Sequence, residues 1–236
     1  FHQRSFKIID FFTFAMRWAN GAATNYLRKE YGFANNTVTW LQQYLQDIVL
    51  EVEYFERCQL GGVVECRDGS KVSDIVESDE TELGRKRKGL HGHATIVMAD
   101  VIGAISRTSG CLLLETMQKL KPGPGFPSRR FGPARTEEVE PFIEGLIRPG
   151  SMYITDGLRC QPGLAKRFGL RHYKVDHNAG EFSRQEEGFI AHTNTIDGEW
   201  GHYKNWVRGK HGVVRERLYS YLKEWQWRRN HRDYDL

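Results

Sequence analysis

Val72-Ser73-Asp74-Ile75-Val76-Glu77-Ser78-Asp79-Glu80-Thr81-Glu82-Leu83 is the stretch on which the fold turns. The hydrophobic pattern here has period two, so residues 72–83 read as a strand. Two more strands follow at 94–103 and 111–118, joined by turns at 85–93 and 106–110. A carboxylate in the middle of a central strand is awkward, because charges are rarely buried unpaired. Asp79 is best explained if it points out of the sheet at a metal. Side chains alternate along a strand, so Glu77 lies on the Asp79 face. A solvated edge strand rich in acids explains this stretch, taken alone, as well.

Downstream the period changes. A Pro/Gly-rich loop, Lys121-Pro122-Gly123-Pro124-Gly125-Phe126-Pro127, leads to a helix over 136–147 with Glu137 and Glu138 in its first turn. Pro149-Gly150 ends it. A short strand at 151–155 stops at Asp156-Gly157. A helix at 162–168 and a strand at 171–175 come next, then a loop to 195. Two helices close the chain, at 197–207 and 214–229. Three antiparallel strands followed by strands reached through helices give a mixed sheet with helices on both faces. The expected fold is α/β, a ribonuclease-H-like mixed five-stranded sheet with flanking helices.

Upstream the reading is helical. Phe6, Ile9, Phe12, Phe14, Ala15, Met16 and Trp18 mark an amphipathic helix ended by Asn20-Gly21. A second short helix covers 22–31 and stops at Gly32. Asn35, Asn36 and Thr37 offer N-caps for a third, over 37–57. Three helices with a glycine turn before the last make a small bundle like a helix-turn-helix, with Asn36 and Thr37 at the leading end of the recognition helix. A helical prefix that only packs explains the pattern equally. The expected division is 1–60 for this DNA-binding region and 61–236 for the sheet domain, with Gly61-Gly62 and Asp68-Gly69-Ser70 in a linker.

Two further acids stand at informative places. Tyr153-Ile154-Thr155-Asp156-Gly157 puts a carboxylate at the carboxyl edge of the sheet, where α/β proteins build sites; an ordinary Asp-Gly turn is the bland alternative. His192-Thr193-Asn194-Thr195-Ile196-Asp197-Gly198-Glu199-Trp200 opens a helix on which Asp197, Trp200 and Lys204 share a face; an acidic first turn favoured by the helix dipole accounts for Asp197 and Glu199 without chemistry. The conjunction of the three acids carries more than each alone. Carboxylates on a mid-sheet strand, a later strand end and a following helix are the layout for two metal ions about 4 Å apart. Hard oxygen ligands select Mg²⁺ or Mn²⁺.

Bulk properties set bounds. The 236 residues, 39% hydrophobic, suffice for one sizeable domain or one domain plus an appendage. Apolar and aromatic residues spread along the chain exclude a largely disordered protein. The net charge of +4 is a mild excess, but the basic residues cluster at Arg85-Lys86-Arg87-Lys88, at Arg129-Arg130 and in the last thirty residues. Cys58, Cys66, Cys111 and Cys160 form no CxxC pair and read as reduced structural thiols. No apolar run approaches the roughly 20 residues of a membrane span. The opening Phe1-His2-Gln3-Arg4-Ser5 is neither a signal peptide nor a natural start, so a start trimmed from a longer chain and an intracellular setting are expected.

Five stretches then resemble one family. Glu77-Ser78-Asp79-Glu80-Thr81, the turn Gly84-Arg85-Lys86-Arg87-Lys88-Gly89, Ile154-Thr155-Asp156, Val175-Asp176-His177-Asn178 and His192-Thr193-Asn194-Thr195-Ile196-Asp197 with Trp200 and Lys204 look like the Merlin superfamily of DDE transposases and its bacterial insertion-sequence relatives. The tail from Tyr221 to Asn230 is similar to that family's closing helix. The resemblance runs in order from about residue 72 to the end. It implies Asp79 and Asp156 as the first two catalytic, metal-binding carboxylates. Asp197 stands where those enzymes usually have Glu, a departure that leaves Glu199 and Asn194 as alternative third ligands. Many relatives also carry an amino-terminal zinc ribbon; either this sequence starts after it or the protein has none.

The implied activity is cleavage at transposon ends and transfer of the 3′ hydroxyl strand into target DNA, with two Mg²⁺ or Mn²⁺ ions. Lys204 would hold a DNA phosphate, and Arg85, Lys86, Arg87 and Lys88 would form a basic hairpin tip for the phosphate backbone. His177 and His192 could position water or phosphate, or serve loop hydrogen bonding. Trp200, Trp206, Trp225 and Trp227 read as core. The implied partners are terminal inverted repeats, target DNA and further copies of the chain, as a homodimer or larger, with no membrane. The location would be the nucleus in a eukaryote, or the cytoplasm and nucleoid in a bacterium. A domesticated non-catalytic DNA-binding protein and a plain structure-selective nuclease are the competing classes.

Overall fold

A computed structural model describes residues 7–56, 58–86, 95–117, 136–156, 161–186, 188–210, 213 and 215–232. In chain order the helices α1 (Ile8–Ala19), α2 (Thr24–Tyr31) and α3 (Asn35–Phe55) come first. The strands β1 (Leu60–Gly61), β2 (Val63–Glu65), β3 (Lys71–Ser73), β4 (Ile75–Lys86), β5 (Thr95–Ser106) and β6 (Leu112–Thr116) follow. Then come α4 (Thr136–Leu146), β7 (Ile147–Arg148), β8 (Met152–Thr155), α5 (Gln161–Arg167) and β9 (Arg171–Lys174). The chain closes with β10 (Arg184–Glu186), β11 (Phe189–Ala191), α6 (Asn194–Gly209) and α7 (Leu218–Asn230). They form two compact units, residues 57–222 and the remainder.

The larger unit is built on a five-stranded sheet in the order β6-β5-β4-β8-β9. β5 pairs antiparallel with β4 and β6, while β8 pairs parallel with β4 and β9. The sheet is therefore mixed, with long β4 at its centre. Period-two alternation gives β4 two distinct faces. Val76 packs with Ile102, Ala104, Leu113 and Tyr153 into a core closed by Val139, Phe142 and Ile143 of α4 and Leu164 and Ala165 of α5. Glu77, Asp79 and Thr81 point to the opposite face, over which α6 lies. A satellite cluster of Ile154, Val175 and Ala191 fills that second face beside Tyr173 and Phe189.

Several boundaries differ from the sequence reading. The expected linker after residue 60 is structured: β1 pairs parallel with β7, and β2 and β3 form a hairpin. The strand expected over 72–83 is interrupted at buried Asp74, whose carboxylate accepts from the Ser106 hydroxyl at 2.6 Å and from the Thr108 amide at 3.3 Å. The break at Asp74 separates β3 from β4. The expected loop before the third acid contains a 3-10 turn (His177–Ala179) and the hairpin β10–β11. Helix α6 starts at Asn194, three residues before the expected start at 197.

The smaller unit has its own core of Phe14, Trp18, Leu27, Val38, Leu41, Leu45 and Val49. α2 stops at Gly32, which takes the left-handed conformation (φ 63°) that a Cβ would disfavour. α3 begins at Asn35, and its N-cap is Ala34 with no side-chain bond. Asn35, Asn36 and Thr37 are thus its first turn and not its caps; the Asn35 side chain accepts from Arg28 at 2.7 Å instead. Residues 223–232 of α7 and its end belong to this unit, whereas the sequence division had assigned the whole tail to the sheet domain. The reason is packing: Trp227 stacks on Trp18, and the Arg228 guanidinium lies 4.2 Å over the Trp18 ring and donates to the Ala19 carbonyl. Gln46 donates to buried Glu224 at 2.7 Å.

Cys58, Cys66 and Cys111 are free thiols. Among the described residues no helix is long and apolar enough to cross a membrane. Arg87 and Lys88 of the basic turn, the 121–127 loop, Arg129-Arg130, Gly157 and Cys160 lie outside the described residues.

Candidate active site

The parallel pairing of β4 with β8 sets the site. Glu77 faces Ile154 and Ser78 faces Thr155 across the two strands. Continuing that register by one residue brings Asp79 and Asp156 to neighbouring strands on one face, the face that α6 covers. Asp79 is flanked on its other side by Gly103 of β5.

Burial pushes the Asp79 carboxyl up from its ordinary 3.8 to about 7, and the charges of Asp156 and then Asp197 add to that rise. Burial also raises Asp156; His177 opposes the rise and Asp197 reinforces it. Asp156 and Asp197 thus both bear on Asp79, and Asp197 bears on Asp156. Asp197 is exposed in the first turns of α6, and its Oδ2 accepts from the Thr193 hydroxyl at 3.2 Å. The same hydroxyl lies 3.3 Å from Nε2 of His177. Glu199 is buried on another side of the helix, and Asn194 is exposed at its first position. Asp197 is among the charges that raise Asp79 and Asp156.

Helix α6 is fastened along β4 at three points. The Trp200 indole donates to Asp79 Oδ2 at 3.0 Å, and the Lys204 ammonium donates to the Thr81 hydroxyl at 2.8 Å. The third point is Glu77, fully buried, which accepts from the amides of Thr195 (2.9 Å) and Ile196 (3.2 Å), the Thr195 hydroxyl (2.7 Å) and the Arg107 guanidinium (2.7 Å). His192 Nδ1 stands 3.4 Å from Glu77 without making a hydrogen bond to it. So His192 faces the Glu77 clamp, while His177 faces the acids. Trp200 is core, as its sequence position suggested, yet it also touches Asp79.

Gly103 is a requirement that sequence reasoning passed over. A Cβ there would stand 2.7 Å from the Trp200 ring. Only glycine leaves room at β5 for the indole that donates to Asp79. The signal was present, because a glycine inside a strand pattern marks close approach. Asn36 (exposed) and Thr37 (half-buried) belong to the other compact unit. Of the basic turn, Arg85 and Lys86 end β4, paired with Ile96 and Thr95.

Oxygen donors that repel one another in a half-buried site are what a hard divalent cation relieves. Among the described residues, however, no three His, Cys, Asp or Glu side chains stand close enough to enclose an ion. The chemistry fits a cation and the spacing is open.

A mixed five-stranded sheet with flanking helices, carrying acids at the centre of β4, the end of β8 and the start of α6, is compatible with a ribonuclease-H-like transposase domain. The comparison with protein families gives the particular one. The model of the ISXO2-like transposase domain matches residues 71–230 of the 236, and the chain belongs to that family. No curated protein compared with the chain matches it.

Proposed function

We propose that this chain is a DNA transposase that cleaves the ends of a mobile element and joins the freed 3′ hydroxyl to target DNA, with Asp79, Asp156 and Asp197 as its catalytic carboxylates. The observation that carries the reading is geometric: the parallel register of β4 and β8 brings Asp79 and Asp156 side by side on the sheet face over which α6, with Asp197, is fastened. Membership of a transposase family supports it from the sequence side. The likeness of the quoted motifs to the Merlin superfamily is the finer version of the same assignment.

The chemistry balances as two displacements at phosphorus. Water attacks a phosphodiester at the element's end, leaving a 3′ hydroxyl and a 5′ phosphate. That hydroxyl then attacks a target phosphodiester and releases the target's own 3′ hydroxyl. A pair of Mg²⁺ or Mn²⁺ ions on the three carboxylates would supply an activated oxygen nucleophile and a neutralised leaving oxygen. Trp200 orients Asp79, and Thr193 orients Asp197. Lys204, held by a neutral hydroxyl, is available to a DNA phosphate. The basic turn with Arg85, Lys86, Arg87 and Lys88 would follow the phosphate backbone. The α1–α3 bundle would read an inverted repeat as a helix-turn-helix, with Asn36 and Thr37 leading. Two DNA ends call for two or more copies of the chain, in a nucleoid or a nucleus.

A second reading, a non-catalytic DNA-binding descendant, draws on the open spacing of the acids. One experiment separates the two. A DNA duplex ending in the element's inverted repeat is incubated with the protein, supercoiled target DNA and Mg²⁺ or Mn²⁺, and nicking and joining are scored on gels. The transposase reading expects metal-dependent nicks and joined product, lowered at least a hundredfold by Asp79→Asn or Asp156→Asn with DNA binding kept. Salt-sensitive DNA binding without nicks under either metal would favour the non-catalytic reading.

A further inference from the structure

Glu77 stands two residues from Asp79 on the same strand face, yet its carboxylate is turned away from chemistry. It has no exposed surface, and both oxygens are engaged. Oε2 accepts the amides of Thr195 and Ile196, and Oε1 accepts the Thr195 hydroxyl and the Arg107 guanidinium. Those amides are the second and third of α6, the donors that a local N-cap side chain ordinarily takes. Here the local cap, Thr193, makes no side-chain bond to them. The helix is capped instead by a residue 118 positions earlier. A carboxylate suits this place, because the helix dipole and charge-assisted bonds both favour an anion. Arg107 extends the clamp: it also donates to the carbonyls of Ile190 (2.7 Å) and His192 (3.1 Å), fixing the segment that leads into α6.

The spacing explains what the clamp sets. Two residues along a strand advance about 6.7 Å, and four along a helix about 6 Å. Glu77, Asp79 and Thr81 therefore meet Ile196, Trp200 and Lys204 in step. Slippage of the helix by one residue would rotate it by about 100° and carry Asp197 off the face of Asp79. Glu77 fixes the end from which this register is counted.

We infer that Glu77 is a positioning residue: with Arg107 and Thr195 it clamps the start of α6 to β4 and thereby sets Asp197 against Asp79. It acts through Asp197 and touches neither DNA nor metal. The inference rests on the proposed transposase reading for its effect on rate, and on geometry alone for its effect on the helix.

The test uses the full chain with Glu77→Gln, Thr195→Val and Thr195→Ser. Glutamine keeps the shape but turns an NH₂ group towards donors; valine removes only the hydroxyl bond; serine restores it. Amide hydrogen exchange at Thr195 and Ile196 is measured beside exchange in β5 and β8, with the turnover number and KM of DNA nicking. The inference expects exchange at the two amides to rise at least tenfold in Glu77→Gln while β5 and β8 keep theirs. It expects the turnover number to fall at least tenfold with KM for DNA unchanged, a smaller fall in Thr195→Val, and wild-type behaviour in Thr195→Ser. Should Glu77→Gln fail to fold, the Thr195 pair decides by the same readouts. Unchanged exchange at Thr195 and Ile196 overturns the clamp. Altered exchange with an unchanged turnover number overturns the positioning role. A wild-type protein that never nicks DNA sinks the transposase reading instead, and the clamp then stands or falls on amide exchange.

Discussion

Asp79 is an acid held where its charge is unwelcome: burial and the neighbouring Asp156 and Asp197 lift its carboxyl from 3.8 to about 7. A raised pKa means that the folded chain binds the proton more tightly than the unfolded one. The resulting stabilisation is complete below the unfolded value and is lost as pH rises through the folded one. Without divalent cation the protein should therefore lose on the order of 2–4 kcal/mol between about pH 4 and 7 from this group. Chemical denaturation of wild type and Asp79→Asn over that range checks it. The difference in their pH slopes is the Asp79 contribution, and parallel slopes would show that the carboxyl titrates normally. At this scale the sequence was informative about position. A charge on a central strand, a charge at a strand end and a charge opening a helix were each visible. Glu77 was visible only as an acid on the Asp79 face. Its bonding to Thr195, Ile196 and Arg107 depends on pairs more than 29 residues apart, which no local pattern encodes.

Helix α6 is the element on which the account turns, and its close approach to the sheet is its sharpest feature. Trp200 lies against β5 only because position 103 has no side chain beyond hydrogen. Gly103→Ala should push the indole off Asp79 and destabilise the larger unit by about 1–3 kcal/mol, as overpacking generally does. Urea melts would read that loss, and the Trp200 indole proton would shift in the NMR spectrum. A variant as stable as wild type with an unmoved indole would mean that the helix is not pressed on the strand. β4, β5, β8, α4, α5 and β9 were legible and fall within a few residues of their expected ranges. The pairs β2–β3 and β10–β11 were missed because a strand of three residues is too short to display a period. The start of α6 was placed late because its cap is supplied by another element. Asp197 consequently sits one turn into the helix, with its amide bonded to the Thr193 carbonyl, and does not cap it.

At the scale of the whole molecule, the sequence order predicted a mixed sheet with helices on both faces, and the sheet has that order. The division of the chain was less legible. α7 reads as a continuation of the sheet domain, but its aromatic and charged residues complete the core of the first three helices. A hydrophobic pattern reports that a face is buried without saying against what. The central proposal also lives at this scale: that acids at positions 79, 156 and 197, which only the fold places on one sheet face, act as one site. The third is the decisive member, being an Asp where the resembling enzymes usually have Glu, in a set whose spacing is open. The direct measurement is Mg²⁺-dependent nicking of an element-end duplex by wild type, Asp197→Asn, Asp197→Glu and Glu199→Ala, each checked for DNA binding and melting temperature. The account predicts loss of nicking in Asp197→Asn with binding and melting kept. It predicts retained or higher activity in Asp197→Glu, whose longer side chain narrows the gap, and survival of activity in Glu199→Ala. Full activity in Asp197→Asn together with an inactive, folded Glu199→Ala would contradict it.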